Sequence, residues 1–290
     1  MLTFSTKAVD KSITRIYAFE TELMYLVEGS RQNVLIDTGS GFGSLKTAVD
    51  RILAEHENTN PLNVLLTHGH VDHACGAGEF ISSGIPVYMN PADRYIYTQH
   101  ADRAFRLGWV VTENFVGHGN YNEKDDYIPS ADMQSFQELK EGSQFDLGGI
   151  MIKTYECPGH TLGSLAFLIC EEDGSNYLLT GDACNTSTFL FQEYSTSIEE
   201  YEEHLTKLAE KLKGNYDQVL LSHGNGKGYV GILEDVCQIC EQIKKGDVDA
   251  IPFSFGGSEG MIAMDPEHNI GKGNIIFHPD RIWRDKTVIK

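Results

Sequence analysis

Between residues 13 and 39 the apolar positions come in three short runs, ITRIYAF, LMYLVEG and NVLIDTG, each closed by polar or glycine residues. Their length and their β-branched and aromatic content predict strands. The period then changes: Leu45, Val49, Ile52 and Leu53 share one helical face between Gly43 and the turn at TNPLN, which predicts a helix. NVLL at 63–66 reads as a buried strand, with a second helix starting shortly beyond it. After PVYM at 86–89 the strand period is lost until about residue 140, in a segment of many charges that also holds Tyr95, Phe105, Trp109, Phe115 and Tyr121. Strands return from Phe145 onward in FDLGGIMIKTYECPG, SLAFLIC and NYLLTGD.

Ile198, Tyr201, Leu205, Leu208 and Leu212 predict a helix over 198–213, and Ser197 with Glu200 has the spacing of a capping box. QVLLSH is a further strand, a helix follows through Tyr229, Ile232, Val236, Cys240 and Ile243, and NIIF is one more strand candidate in a glycine-rich tail. Strands followed by helices, twice over, predict an α/β protein with two sheets face to face and helices outside, a four-layer arrangement.

Composition narrows this picture. At 290 residues and 41% hydrophobic, the chain can bury a substantial core. Its 23 basic and 42 acidic residues give a net charge of −19, which repels phosphate backbones and excludes nucleic acid as the expected partner. Only Arg94, Arg103 and Arg106 offer a local basic groove. No basic segment followed by an apolar core opens the chain and no run of eighteen apolar residues occurs, so no membrane partner is expected and a cytoplasmic location is. The six cysteines are scattered, which predicts free thiols. Cys237 and Cys240 form a CxxC, but helical spacing makes Cys240 a small buried hydrophobe, and no second CxxC completes a zinc ribbon.

The candidate chemistry sits at strand ends. Directly after NVLL, His68, His70 and His73 surround Asp72 within six positions. Random placement of eleven histidines would produce that spacing roughly 0.02 times per chain, so the cluster calls for a physical reason. His160 follows KTYE in CPGHTLGS, Asp182 closes NYLLTGD and His223 closes QVLLSH, each a few residues past a buried-looking strand. Five imidazoles and two carboxylates suit zinc first, with iron or manganese as alternatives. Seven ligands are too many for one tetrahedral ion, and two ions sharing a carboxylate would use them all. Asn185, just beyond Asp182, is a candidate hydrogen-bond donor to an oxyanion. His118, in VGHGNY, matches no ligand motif.

The motifs THGHVDH, CPGHTLGS, TGDA and LLSHG, in that order over roughly residues 13 to 240, resemble the metallo-β-lactamase superfamily, and most of all its glyoxalase II-like hydrolase branch. The resemblance implies an αββα fold. It implies that His68, His70 and His160 hold a first metal, that Asp72, His73 and His223 hold a second, and that Asp182 bridges them. Asp37, in NVLIDTG, would support the site from behind. Residues 1–245 would then be the catalytic domain, with an insertion near 90–140, and 246–290 an extension packed on the same domain. The true β-lactamases that this family resemblance brings in often have a cysteine as a second-metal ligand; here Asp182 occupies the bridge position, and Cys184, two residues on, is read as a supporting or core thiol instead of a ligand. The basic helical region that binds glutathione in glyoxalase II has no match in 246–290, which argues against a glutathione thioester.

The leading expectation is a dinuclear zinc hydrolase that uses a metal-bridging hydroxide on a thioester, lactone or related ester of a small-molecule substrate, with Asp72 orienting the nucleophile or passing on its proton. A mononuclear iron persulfide dioxygenase-like oxidoreductase and a non-catalytic binding protein stay open. The insertion at 90–140 is either a lid, a homodimer contact or a satellite core.

Overall fold

The protein is described by a computed structural model over residues 3–19, 21–112 and 123–284. Phe115, His118 and Tyr121 lie outside the described residues. The first sheet has seven strands in sequence order: β1 (Ser5–Ala8), β2 (Ile13–Ala18), β3 (Glu22–Glu28), β4 (Asn33–Ile36), β5 (Leu62–Leu65), β6 (Val87–Met89) and β7 (Gln137–Glu138). It is antiparallel from β1 to β4 and parallel from β4 to β7. The second sheet is built from β8 (Gln144–Asp146), β9 (Ile150–Glu156), β10 (Leu165–Glu171), β11 (Asn176–Leu179) and, later in the chain, a strand at Gln218–Leu220 that pairs parallel to β11.

The central strands are apolar at successive positions because both of their faces are covered. In β3, Leu23, Tyr25 and Val27 face the second sheet, while Met24 and Leu26 face helices on the outside. In β10, Leu165, Phe167 and Ile169 meet the first sheet, and Ala166 and Leu168 face the opposite helices. Each fully buried Leu, Ile or Phe contributes about 1.5–3 kcal/mol, so the two sheets are held by their alternating inner faces. On the first sheet's outer face pack α1 (Leu45–Glu55), a single turn α2 (Val71–Ala74), α3 (Ala77–Ser82) and α4 (Arg94–His100). α5 (Arg103–Thr112) and a turn α6 (Glu123–Asp126) follow. The second sheet is covered by α7 (Ile198–Leu212) and α8 (Ile232–Lys245), and the layers run αββα. The predicted capping box opens α7: Glu200 N–H donates to Ser197 Oγ and Ser197 N–H to the Glu200 carboxylate.

Two elements differ from expectation. Where it is described, the segment 90–140 carries several short helices and an irregular stretch over 127–132, and its end returns to the first sheet as β7. The tail carries more strand than NIIF alone. A third, four-stranded sheet forms from β12 (Thr188–Leu190), with the strand at Gln218–Leu220 being β13, then β14 (Ile251–Phe255), β15 (Ser258–Ile262) and β16 (Ile275–Phe277), in the order β12-β16-β15-β14. IPFSF and SEGMI escaped notice because the first is largely exposed and the second mostly half-buried, so neither has the apolar run of a buried strand. Arg106 is fully buried, and its guanidinium donates to the carbonyls of Ser40, Gly41 and Ile128, so it cannot line a basic groove with Arg94 and Arg103. The described cysteines are all free, and Cys240 and Cys184 are buried in the core under α7 and α8.

Candidate metal centre

All seven ligand-type residues come together on one edge of the sandwich. The HxHxDH spacing works through a change of backbone: His68 and His70 lie on the extended chain leaving β5, with His70 at φ −70°, ψ 162°, and Asp72 and His73 lie in the one-turn helix α2. Residues two apart on extended chain point the same way, and the helical turn then swings the next pair to a neighbouring position. His160 comes from the β9–β10 loop, Asp182 from the chain end of β11 and His223 from the end of β13.

The donor atoms fall into overlapping groups: His68, His70 and His160; His68, His73 and Asp182; Asp72, His73 and His223, with the atoms of each group within 4.8 Å of one another. Asp182 Oδ2 is 3.6 Å from His160 Nε2, 3.6 Å from His73 Nε2 and 3.3 Å from His223 Nε2, so it touches both ends of the constellation. Asp72 Oδ2 is 3.5 Å from His223 Nε2 and 3.6 Å from His73 Nε2.

The far ring nitrogens are anchored. His73 Nδ1–H donates to Asp37 (2.8 Å), His160 Nδ1–H to the Phe189 carbonyl (2.8 Å) and His223 Nδ1–H to the Thr21 carbonyl (2.8 Å). Such bonds fix the tautomer and leave Nε2 as the ligand atom. Asp37 adopts φ +63° and also accepts from Thr67 N–H and Thr67 Oγ1, so the same carboxylate holds the root of the histidine loop.

A cation fits this donor set. His70 Nδ1 lies 3.0 Å from His68 Nε2 and 2.8 Å from His160 Nε2, three imidazole nitrogens pointed at one another. Burial pushes the pKa of His68 and His70 well down and that of His160 down, which keeps these rings neutral. Neutral rings facing each other with lone pairs are stabilised by a shared ion. The other side of the constellation behaves oppositely. Burial lowers the pKa of His223, but Asp182 and Asp72 outweigh it and lift it to about 9; for His73 burial is likewise overcome, here by Asp72, Asp37 and Asp182.

Two supports were not legible in the sequence. Asp93, fully buried at the start of α4, accepts from Gly69 N–H (2.8 Å), Thr161 Oγ1 (2.8 Å) and Gly163 N–H (2.7 Å). One carboxylate thereby ties the loop of His68 and His70 to the loop of His160. A Cβ on Gly163 would lie 2.6 Å from the Asp93 carboxylate, which accounts for the glycine in CPGHTLGS. On the opposite side Arg15 donates to the carbonyls of Asn225 (2.6 Å) and Gly226 (2.7 Å) and to Tyr25 Oη, and Tyr25 Oη donates to the Leu221 carbonyl (2.5 Å). This pair braces the loop that carries His223. Gly226 sits at φ +69° directly under the Arg15 guanidinium, where a side chain has no room. His100 also escaped notice: it stacks between His70 (ring centroids 5.0 Å) and Phe105 (4.4 Å). Asn185 is buried beside Asp182, its amide donating to Asp182 Oδ1 (3.2 Å) and its Oδ1 accepting from Ser187 N–H (2.6 Å).

Comparison with known proteins agrees with this geometry. The match to an uncharacterised protein of Mycobacterium tuberculosis is 31% identical and spans 51% of this chain and 61% of that protein. An acyl-coenzyme A thioesterase of Homo sapiens is 26% identical over 71% of this chain and 74% of its own. Among solved structures, a metallo-beta-lactamase of Cronobacter sakazakii superposes with a TM-score of 0.57 at 16% identity, covering 83% of this chain and 93% of that one. An archaeal metallo-beta-lactamase superfamily protein of Sulfolobus tokodaii gives 0.53 at 19%, covering 82% and 86%. At such identities these two bear on the fold alone. The model of the metallo-beta-lactamase superfamily matches residues 19–223, a span that contains every one of the seven converging ligand residues, and the chain belongs to that superfamily.

Proposed function

We propose that the protein is a dinuclear metal-dependent hydrolase, with zinc as the metal, acting on an ester-like bond of a small molecule. The observation that carries this reading is the position of Asp182, whose one oxygen lies within 3.6 Å of ligand nitrogens from both groups. A single-ion site has no use for the second convergence of Asp72, His73 and His223. His68, His70 and His160 hold one ion in this reading, Asp72, His73 and His223 the other, and Asp182 is common to both. Divalent ions bound there supply acidified water and Lewis acidity at neutral pH. Asp72, partly exposed to the adjoining cavity, orients the attacking water and passes its proton to the leaving group. Asn185 spends one amide hydrogen on Asp182 and has a second to offer a developing oxyanion. The thioesterase relative adds support for thioesters beside esters and lactones as the bond class. In the same reading residues 1–245 form the catalytic domain and 246–290 an extension of it.

The test is elemental analysis of purified, unsupplemented protein, followed by a screen of esters, thioesters and lactones. Close to two zinc ions per chain with hydrolysis supports the proposal. About one iron per chain with oxygen uptake on a persulfide replaces it with the oxidative reading, and no metal after reconstitution removes both.

A further inference from the structure

The candidate metal centre opens into a cavity of about 1070 Å³, and its walls come from three distant parts of the chain. Phe105 and Trp109 come from α5, Phe189 from β12, and Phe255 from the β14–β15 hairpin. The insertion and the tail meet there edge to face: Trp109 and Phe255 have ring centroids 5.8 Å apart, and Phe255 and Phe189 5.3 Å. Phe105, 41% exposed, extends this wall from the His70–His100 stack outward. The lining also includes the neutral polar residues Gln99, Asn185, Ser187 and Gln192.

No lysine or arginine lines the cavity among the described residues, and the charged side chain added to the metal-ligand set is the acidic, exposed Glu193. The arginines beside these walls are engaged elsewhere: Arg103 lies over the Tyr127 ring (5.8 Å), Arg106 donates to backbone carbonyls, and Arg281 donates to the carbonyls of Gln192 and Ser195. Beyond the metal ions that the candidate centre would hold, a phosphate on a bulky carrier would meet no lysine or arginine in the described lining and would enter a net acidic chain. An apolar chain or ring would instead cover aromatic surface that is otherwise wet.

We propose that the site takes an uncharged ester, thioester or lactone whose apolar acyl group, medium-chain or aryl, seats on the wall of Phe105, Trp109, Phe189 and Phe255. A phosphorylated carrier such as coenzyme A is thereby disfavoured as the leaving group. This rests on the hydrolase reading for the bond that breaks: water adds to the acyl carbon, the bond to the leaving oxygen or sulfur breaks, and the leaving atom takes the proton. The recognition chemistry is independent of that reading.

The metal-loaded protein is assayed with 4-nitrophenyl acetate and octanoate and with octanoyl-coenzyme A. Binding of 2-decanone, which has no bond to hydrolyse, is followed in parallel by calorimetry. Octanoate is expected to exceed acetate in kcat/KM by about tenfold or more, from the added methylenes. In Trp109→Ala and Phe255→Ala that ratio and the ketone affinity should both fall about tenfold, whereas a merely structural role lowers both esters together and keeps the ratio. Octanoyl-coenzyme A preferred tenfold over the neutral ester overturns the inference, as does an unchanged ratio in both variants. Ketone binding that is lost in Trp109→Ala, with no hydrolysis of any ester, overturns the hydrolase reading and leaves the recognition chemistry standing. Absence of both binding and hydrolysis overturns both.

Discussion

The two ends of the ligand constellation are built differently. His68, His70 and His160 are buried neutral rings whose two loops are tied by the Asp93 carboxylate. Asp72, His73 and His223 carry charge partners, and the His223 side chain is 32% exposed on a loop braced by Arg15 and Tyr25. Burial and neutrality suit a permanently held ion, because neutral imidazole is the ligand form and little water competes. The exposure of His223 turns the second group toward the cavity where substrate enters, and access to water suits an ion that exchanges more readily. In the proposed two-ion reading the centre therefore divides into an anchored half and an open half.

The contrast is broken most directly by removing one ligand from each half. His160→Ala is expected to lower kcat/KM by about a thousandfold and strip both ions, and His223→Ala by about a hundredfold with one ion retained; metal content and kinetics on the same preparations decide. Equal losses would abolish the division. Asp93→Ala leaves two buried N–H groups without an acceptor, at a cost of about 3 kcal/mol in denaturant unfolding of the metal-free protein and about 10–100-fold in affinity for the anchored ion. Asp93→Asn should recover part of it. Arg15→Met preserves bulk but frees the carbonyls of Asn225 and Gly226, and should weaken only the open-half ion, by about tenfold in a metal titration. Weakening of both ions alike would show that the brace supports the whole edge. The smallest effect is kinetic: under chelator the two ions should leave in separate phases about tenfold apart, the open-half ion first, whereas a single phase would mean that Asp182 couples them too tightly to separate.

The anchored and open halves were unequally legible. The ligands stand out because histidines and aspartates directly after apolar strands break the hydrophobic pattern, and THGHVDH concentrates four of them in one loop. Asp93 had no such mark. In NPADRY it looks like any helix-start acid, and its role arises only because α4 delivers it against Gly69 and Gly163, which are remote in sequence. Arg15 sits in ITRIYAF as one polar residue in a strand, and nothing local indicates a bond to a carbonyl 211 positions away. Of the third sheet NIIF was legible, but IPFSF and SEGMI were missed for a different reason: both mix apolar with polar or small residues and neither is fully buried, so they lack the apolar run that betrays a buried strand.

By itself the sequence determined the αββα layering, through strands apolar on both faces and helices apolar on one, and it singled out the candidate ligand residues, through residue types costly to bury unless they have a task. Only the tertiary structure decided which carboxylate and which guanidinium hold those ligands, that 90–140 and the tail meet across the cavity at Trp109 and Phe255, and that Arg106 is a buried staple instead of a surface charge. The physical reason is range: hydrophobic periodicity is written in neighbouring residues, whereas hydrogen bonds and ring contacts between remote segments exist only after the chain has brought them together.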